Sequence, residues 1–136
     1  MASVAGLKRA TAMLFAACAL AEIAIGAILL VFPQVASFLL AASLDANGLL
    51  VARALGSALF ALGLTWWSMR NDAHAVAGCR AGFIFYNLVV GALFAFQALH
   101  VVRPLWPALA GAVHLLAGAA FAVTTVRNAV AGRTSG

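Results

Sequence analysis

Four long runs of apolar residues occupy most of the chain and are separated by short polar connections. They cover residues 10–32, 49–69, 76–100 and 105–126, and about 20 apolar residues suffice to cross a bilayer. The runs are apolar throughout, whereas membrane strands alternate apolar and polar residues. Because backbone groups in lipid must hydrogen-bond within their own segment, the pattern predicts an all-α polytopic membrane protein. We expect residues 1–136 to form one domain, a four-transmembrane-helix bundle.

A shorter apolar stretch, residues 35–44, follows Pro33 between the first two runs. It is too brief to cross a bilayer, so we expect an interfacial or re-entrant segment. Residues 45–48 then supply turn chemistry and a candidate N-cap for the second helix. From Arg127 onward we expect a frayed tail.

Charge is scarce and unevenly placed. The chain has eight Lys and Arg, three Asp and Glu, and 66% hydrophobic residues, which leaves no room for a water-soluble domain. Basic residues precede the first run, flank the second connection and follow the fourth run: Lys8, Arg9, Arg70, Arg80, Arg127 and Arg133. The positive-inside bias therefore predicts a multi-pass membrane protein with both termini in the cytoplasm. The high Ala content and the excess of Arg over Lys are typical of a GC-rich bacterial genome, so we expect the membrane to be the bacterial cytoplasmic (inner) membrane. The net charge of +5 indicates topology and contact with lipid headgroups, and not nucleic-acid binding.

Glycines at helical spacing predict where the helices pack: Gly56, Gly63, Gly91, Gly111 and Gly118. Small residues let membrane helices approach closely, which favours a compact bundle, a homo-oligomer or docking with other membrane protein subunits. The segment from residue 55 to Gly63 echoes that from residue 110 to Gly118, and Glu22 with Gly26 echoes Asn87 with Gly91. These echoes are those of a duplicated helical hairpin, although chance also produces them in a chain rich in Ala, Gly and Leu.

Polar residues inside the runs are the candidates for a ligand or proton site: Glu22, Arg53, Asn87, Gln97 and His114. Glu22 lies about 15 Å from either end of its run. A charged carboxylate at that depth costs a few kcal/mol or more unless it is paired or protonated. Two interpretations stay open: a functional carboxyl, or one that only holds the bundle together.

The other four candidates each have a structural alternative. Arg53 either snorkels to the headgroups or reaches towards Glu22. His114 lies at a depth similar to that of Glu22, as a packing residue or as a partner in a proton relay. Asn87 and Gln97, like Tyr86 on the same helix, either bind a ligand headgroup or bridge helices.

Catalytic and metal-binding motifs are missing from the sequence. It contains no nucleophile–base pair, phosphate loop, HExxH or GxSxG, so nothing positive points to an enzyme; acid–base chemistry by Glu22 and His114 rests on their matched depth alone. No cluster has the ligand count of a zinc or iron–sulfur site, and we predict no metal or cofactor. Three tryptophans near the ends of the runs predict an aromatic belt at the membrane interface: Trp66, Trp67 and Trp106.

Two family resemblances rest on short motifs. Arg53–x–x–Gly56 followed by Gly63 resembles the uncharacterised, DoxX-like small bacterial four-helix integral membrane proteins, which implies the same four spans. DoxX itself is associated with quinone-linked thiosulfate oxidation, for which this chain has no matching residues. As an alternative, residues 21–26 resemble the first-helix segment of the small multidrug resistance transporters, whose embedded Glu binds protons and cationic drugs. That resemblance implies that Glu22 is a coupling residue.

We therefore expect a hydrophobic-ligand-binding bundle, with a lipid or quinone as ligand, or an accessory subunit of a larger membrane complex. The alternative is a proton-coupled small-molecule transporter that uses Glu22.

Overall fold

The chain folds into helices along nearly its whole length. The computed structural model describes residues 4–40, 42–100 and 105–133, and within them it contains five helices and no strand: α1 Val4–Val31, α2 Val35–Leu40, α3 Ala46–Met69, α4 Ala73–His100 and α5 Leu105–Arg133. Four of these, α1, α3, α4 and α5, are long and apolar enough to cross a membrane. The prediction of an all-α protein with four spans is confirmed.

All four long helices extend beyond the predicted spans, and α1 and α5 extend furthest. α1 begins at Val4, ahead of the predicted start at residue 10, and α5 continues to Arg133. The prediction of a frayed tail from Arg127 is therefore wrong for residues 127–133, and residues 134–136 lie outside the described residues. Hydropathy locates the apolar part of a helix, whereas Ala, Arg and Lys continue the helix past it because they are good helix formers.

Carboxylates begin two of the helices. Oδ1 of Asp45 accepts a hydrogen bond from the amide of Gly48 at 2.8 Å, so the predicted cap of the second span is confirmed. Asp72 does the same for α4, where its Oδ1 accepts from the amides of His74 at 2.8 Å and Ala75 at 3.1 Å. These two bonds, the one from Ala75 foremost, lower the pKa of Asp72.

The long helices associate as two antiparallel pairs, α1 with α3 and α4 with α5, and glycines lie at both contacts. A Cβ placed on Gly56 would lie 2.8 Å from the carbonyl oxygen of Gly26. A Cβ on Gly111 would lie 3.1 Å from the carbonyl oxygen of Gly91. The other predicted packing glycines, Gly63 and Gly118, also lie at these contacts. Backbone therefore meets backbone within each pair.

The two pairs have the same internal register. Gly26 meets Gly56 in the first pair, and Gly91 meets Gly111 in the second. From Gly26 to Gly91 is 65 residues and from Gly56 to Gly111 is 55. The first connection is thus longer by ten residues, which is the length of segment 35–44. The sequence echoes coincide with equivalent contacts in three dimensions, as expected of a duplicated hairpin.

Four aromatic side chains, one from each long helix, fill the space between the pairs. They form what we term the aromatic layer: Phe15, Trp66, Phe83 and Phe121, each at most 3% exposed. The ring of Phe83 lies 5.0 Å from that of Phe15, 4.6 Å from that of Trp66 and 4.5 Å from that of Phe121. Dispersion between these rings joins one pair to the other.

The aromatic layer corrects one prediction. Trp66 is 3% exposed and does not belong to an interfacial belt. It lies three residues after Gly63 and so on the face of α3 that turns inward. Trp106, by contrast, is 50% exposed at the start of α5, where its ring lies 6.5 Å from that of Phe38 on α2.

The bundle presents apolar side chains outward. Large hydrophobic residues on every long helix are exposed, among them Met13, Leu55, Leu64, Phe85, Leu93 and Leu116. Such a surface is stable in lipid and not in water, so the chain is a multi-pass membrane protein. Helix α2 contributes Ala36 to a small cluster with Leu29 and Ala52, at the end of the bundle opposite the chain termini.

The glycine contacts predict how a substitution changes the stability of the bundle. A methyl group added by Gly56→Ala would lie 2.7 Å from the amide nitrogen of Leu30, and backbone cannot yield as a flexible side chain can. We expect the free energy of unfolding to fall by about 1–3 kcal/mol, measured by denaturant titration in mixed micelles with circular dichroism. Gly78→Ala is the matched control, because its Cβ meets nothing within 4 Å. Equal stabilities of the two variants would contradict the pairing.

Candidate functional site

A polar cluster lies next to the aromatic layer, at mid-depth in the bundle. We define the central polar cluster as Glu22 from α1, Tyr86 and Asn87 from α4, and His114 from α5. Glu22 is 5% exposed and Asn87 2% exposed. Three of the five predicted site residues therefore come together, and α1 contacts the α4–α5 pair through them.

The hydroxyl of Tyr86 donates a hydrogen bond of 2.9 Å to Oε1 of Glu22. This bond joins α1 to α4, and thus one helical pair to the other. Glu22 is buried and Tyr86 half-buried, and a hydrogen bond in surroundings of low dielectric constant is stronger than the same bond in water. Tyr86 is the single tyrosine of the chain, and its ring stands edge-on to Trp66 with the centroids 5.6 Å apart. The aromatic layer therefore positions the Tyr86 ring, and the Tyr86 hydroxyl in turn positions Glu22.

Asn87 and His114 form the second half of the cluster. Nδ2 of Asn87 donates to the carbonyl oxygen of Phe83 at 3.0 Å. Its Oδ1 lies 3.0 Å from Nδ1 of His114, and Nδ1 must carry the proton for that contact to be a hydrogen bond. The imidazole also stands edge-on to the ring of Tyr86, with centroids 5.7 Å apart. His114 therefore contacts Tyr86, the partner of Glu22, and no described hydrogen bond joins His114 to Glu22 itself.

The remaining two predicted site residues lie elsewhere. Arg53 is exposed and lies one turn before Gly56, which packs level with Gly26 and Leu30. That position is about 14 Å along the bundle from Glu22. Gln97 donates from Nε2 to the carbonyl oxygen of Leu40 at 3.1 Å, so it attaches α2 to α4. The structure brings neither side chain into the central polar cluster.

A groove opens between α3 and α4, which contact each other less closely than α1 and α5 do. It has a volume of about 340 Å³. Trp66, Phe83 and Tyr86 form its floor, and Gly78 and Gly82 contribute no side chain to its α4 wall. Tyr86 thus faces two ways, since its ring lines the groove while its hydroxyl bonds to Glu22.

The end of this groove nearest the chain termini carries two sulfur atoms. Sγ of Cys79 lies 3.8 Å from Sδ of Met69, across the gap between α4 and α3. Within the described part of the chain, no three His, Cys, Asp or Glu side chains lie close enough to hold a metal ion.

Sequence reasoning named Tyr86 only among the polar residues of the third helix, left it out of the candidate site and did not identify the groove. Tyr86 adjoins Asn87 and lies three residues after Phe83, so helical spacing places all three near one face. That signal was present but equivocal. Nothing in the sequence indicated the groove, because the unpacked Gly78 and Gly82 look in sequence like the glycines that are packed against a neighbouring helix.

Comparisons with known proteins add no relative: a scan of family models, a search of curated proteins and a search of solved structures each found no match to this chain. The resemblances to DoxX-like proteins and to small multidrug resistance transporters therefore stay predictions.

The Glu22–Tyr86 bond predicts a measurable coupling energy. In a double-mutant cycle of Glu22→Leu and Tyr86→Phe, we expect the two losses in unfolding free energy to differ from additivity by about 0.5–2 kcal/mol. We expect this coupling because Tyr86→Phe removes the hydroxyl that donates to Glu22 and that has no other partner in the described structure. Denaturant titration in micelles measures each corner of the cycle. Gln97→Leu replaces Tyr86→Phe in a control cycle, which should be additive; an additive Glu22–Tyr86 cycle would contradict the bond.

Proposed function

We propose that this protein binds a hydrophobic ligand, a lipid or a quinone, in the groove between α3 and α4. Small-molecule sites have volumes of about 300–1,000 Å³ and are mainly apolar with few polar groups. The groove, at about 340 Å³, meets both conditions. Both hydroxyl groups of its lining already have partners: that of Thr65 donates to the carbonyl oxygen of Ala61 and that of Tyr86 to Glu22.

The observation that carries this proposal is the unoccupied wall formed by Gly78 and Gly82. A Cβ at either position would meet nothing within 4 Å, whereas the glycines at the two helix-pair contacts are packed against a neighbouring helix. In lipid, a gap beside aromatic side chains is filled by a neighbouring chain or ligand, since vacant space forfeits dispersion contacts.

The orientation belongs to the same proposal. We place both termini in the cytoplasm and the protein in a bacterial inner membrane, as a DoxX-like protein would be. Support comes from Arg9, Arg70 and Arg127, which lie at one end of the bundle by the direction of their helices, as the positive-inside bias requires. The groove then opens towards the cytoplasmic leaflet.

Filling the groove tests the proposal. Gly82→Leu places a side chain in open space, so the bundle should fold while the bound ligand is lost. Native mass spectrometry of protein extracted gently from its own membranes measures the retained mass. We expect wild type to carry a lipid or quinone adduct and Gly82→Leu to lose most of it. Ala81→Leu, on the preceding residue and outside the groove lining, is the matched control and should keep the adduct.

Two results would overturn the ligand-binding proposal. One is wild-type protein without any adduct, and the other is equal retention by Gly82→Leu and Ala81→Leu. A spectrum in which wild type retains other protein chains, with no adduct, would instead favour an accessory subunit of a larger membrane complex. A spectrum of bare dimers would favour a homo-oligomer through the apolar outer surface.

A second candidate function rests on Glu22 itself. Its burial, with one described hydrogen-bond partner, supports proton-coupled transport of a small molecule, because intramembrane carboxyls frequently serve as proton carriers. Tyr86 would link the carboxyl to whatever occupies the groove. His114 would lie one side chain further along the same path.

Transport requires that carboxyl to gain and lose a proton. In proteoliposomes with an imposed pH gradient, we expect wild type to accumulate ethidium, a fluorescent cation, and Glu22→Gln to lose at least tenfold of the initial rate, because an amide cannot exchange the proton. Asp72→Asn, which removes an exposed carboxyl at the end of the bundle, is the control and should transport normally. Uptake that persists in Glu22→Gln, or its absence from wild type, would exclude this function for the probe.

A further inference from the structure

We propose that the occupant of the α3–α4 groove is a phospholipid with an anionic headgroup, whose phosphate binds the guanidinium of Arg70 while one acyl chain lies in the groove. This inference rests on the proposed function and names the class of its ligand. It combines an apolar groove with a basic side chain at the end of that groove.

Arg70 is held at the end of the groove. It follows Met69, which lines the groove, and it forms the C-cap of α3. Its guanidinium lies 3.8 Å from the centroid of the Trp67 ring, and Nη1 donates to the carbonyl oxygen of Trp67. The cation is thus fixed against an aromatic face before any ligand arrives, which reduces the entropy lost on binding.

The charge of Arg70 is not neutralised within the described structure. The nearest carboxylate in sequence, Asp72, uses Oδ1 to accept from the amides of His74 and Ala75, and no described carboxylate pairs with Arg70. A guanidinium has five N–H donors, and the contact with Trp67 uses one of them. The others suit a phosphate, which takes two parallel hydrogen bonds from arginine.

The dimensions of the groove suit a lipid tail. From Met69 to Leu62 the α3 wall rises seven residues, about 10 Å, and it ends beside Tyr86. A tail that begins at the headgroup depth of Arg70 therefore runs towards the middle of the bilayer, in the direction of the surrounding lipid chains. Basic sites between helices at the cytoplasmic side bind anionic headgroups in other membrane proteins, and a quinone has no charge for Arg70 to bind.

Brominated lipids test the pairing of headgroup and groove. In a Trp106→Phe background only Trp66 and Trp67 emit, and both lie at the groove or at Arg70. The full chain is reconstituted in phosphatidylcholine vesicles that contain brominated phosphatidylglycerol or brominated phosphatidylcholine. Quenching as a function of the brominated fraction gives the relative affinity of the two lipids within each variant, so a change in Trp67 emission itself cancels.

We expect phosphatidylglycerol to be preferred at least threefold, and Arg70→Gln to lower that preference to about one. Arg70→Lys keeps the charge and should retain part of the preference, which separates loss of charge from loss of fold. Arg127→Gln is the charge-matched control at the same end of the bundle and should leave the preference intact.

An equal loss of preference in Arg70→Gln and Arg127→Gln would overturn the inference, because attraction to the whole basic end would explain it. No preference in the starting protein would overturn it too. Gly82→Leu distinguishes this failure from that of the proposed function. If Gly82→Leu abolishes quenching by both lipids while Arg70→Gln changes nothing, the groove binds an uncharged ligand and only the headgroup assignment fails.

Discussion

Close approach of helix backbones within two antiparallel pairs is the constraint on which the rest of this structure depends. Lipid provides no hydrophobic drive between helices, so association rests on packing and interhelical hydrogen bonds. Gly26 against Gly56 and Gly91 against Gly111 bring backbones into contact, and a side chain at Gly26, Gly56 or Gly91 would clash with the backbone of the partner helix. The two pairs repeat one register, and the first has ten additional residues in its connection, which supply α2.

The contacts between the two pairs are of a different kind, because large side chains and polar groups make them instead of glycines. The aromatic layer fills the space nearer the chain termini, and the Glu22–Tyr86 bond at 2.9 Å crosses between the pairs at mid-depth. Where α3 meets α4, Gly78 and Gly82 leave that space unfilled. Ring packing, the buried carboxyl and the groove therefore meet at Tyr86, and anything that binds in the groove touches the residue that holds Glu22.

The sequence predicted the four spans, the cap before α3 and the packing positions, because each follows from local composition or helical spacing. It placed Glu22, Asn87 and His114 at depth but could not bring them together, since that requires the rotation of each helix. The same limit explains Trp66, which lies near the end of a span and yet faces inward. For Arg53 the missing information was the register of α1 against α3, which places this side chain away from Glu22 along the bundle. An unpacked glycine looks in sequence like a packed one, so the groove could not be predicted.

The central claim is that the α3–α4 groove holds one defined ligand, and photocrosslinking from inside the groove tests it most directly. A photoreactive amino acid is incorporated in place of Leu62, which lines the groove, and separately in place of Leu64, which is 47% exposed on the outer surface. After irradiation in native membranes, mass spectrometry identifies the adducts. We expect one dominant adduct from position 62 and a mixture that follows bulk lipid composition from position 64. The same mixture from both positions would contradict it.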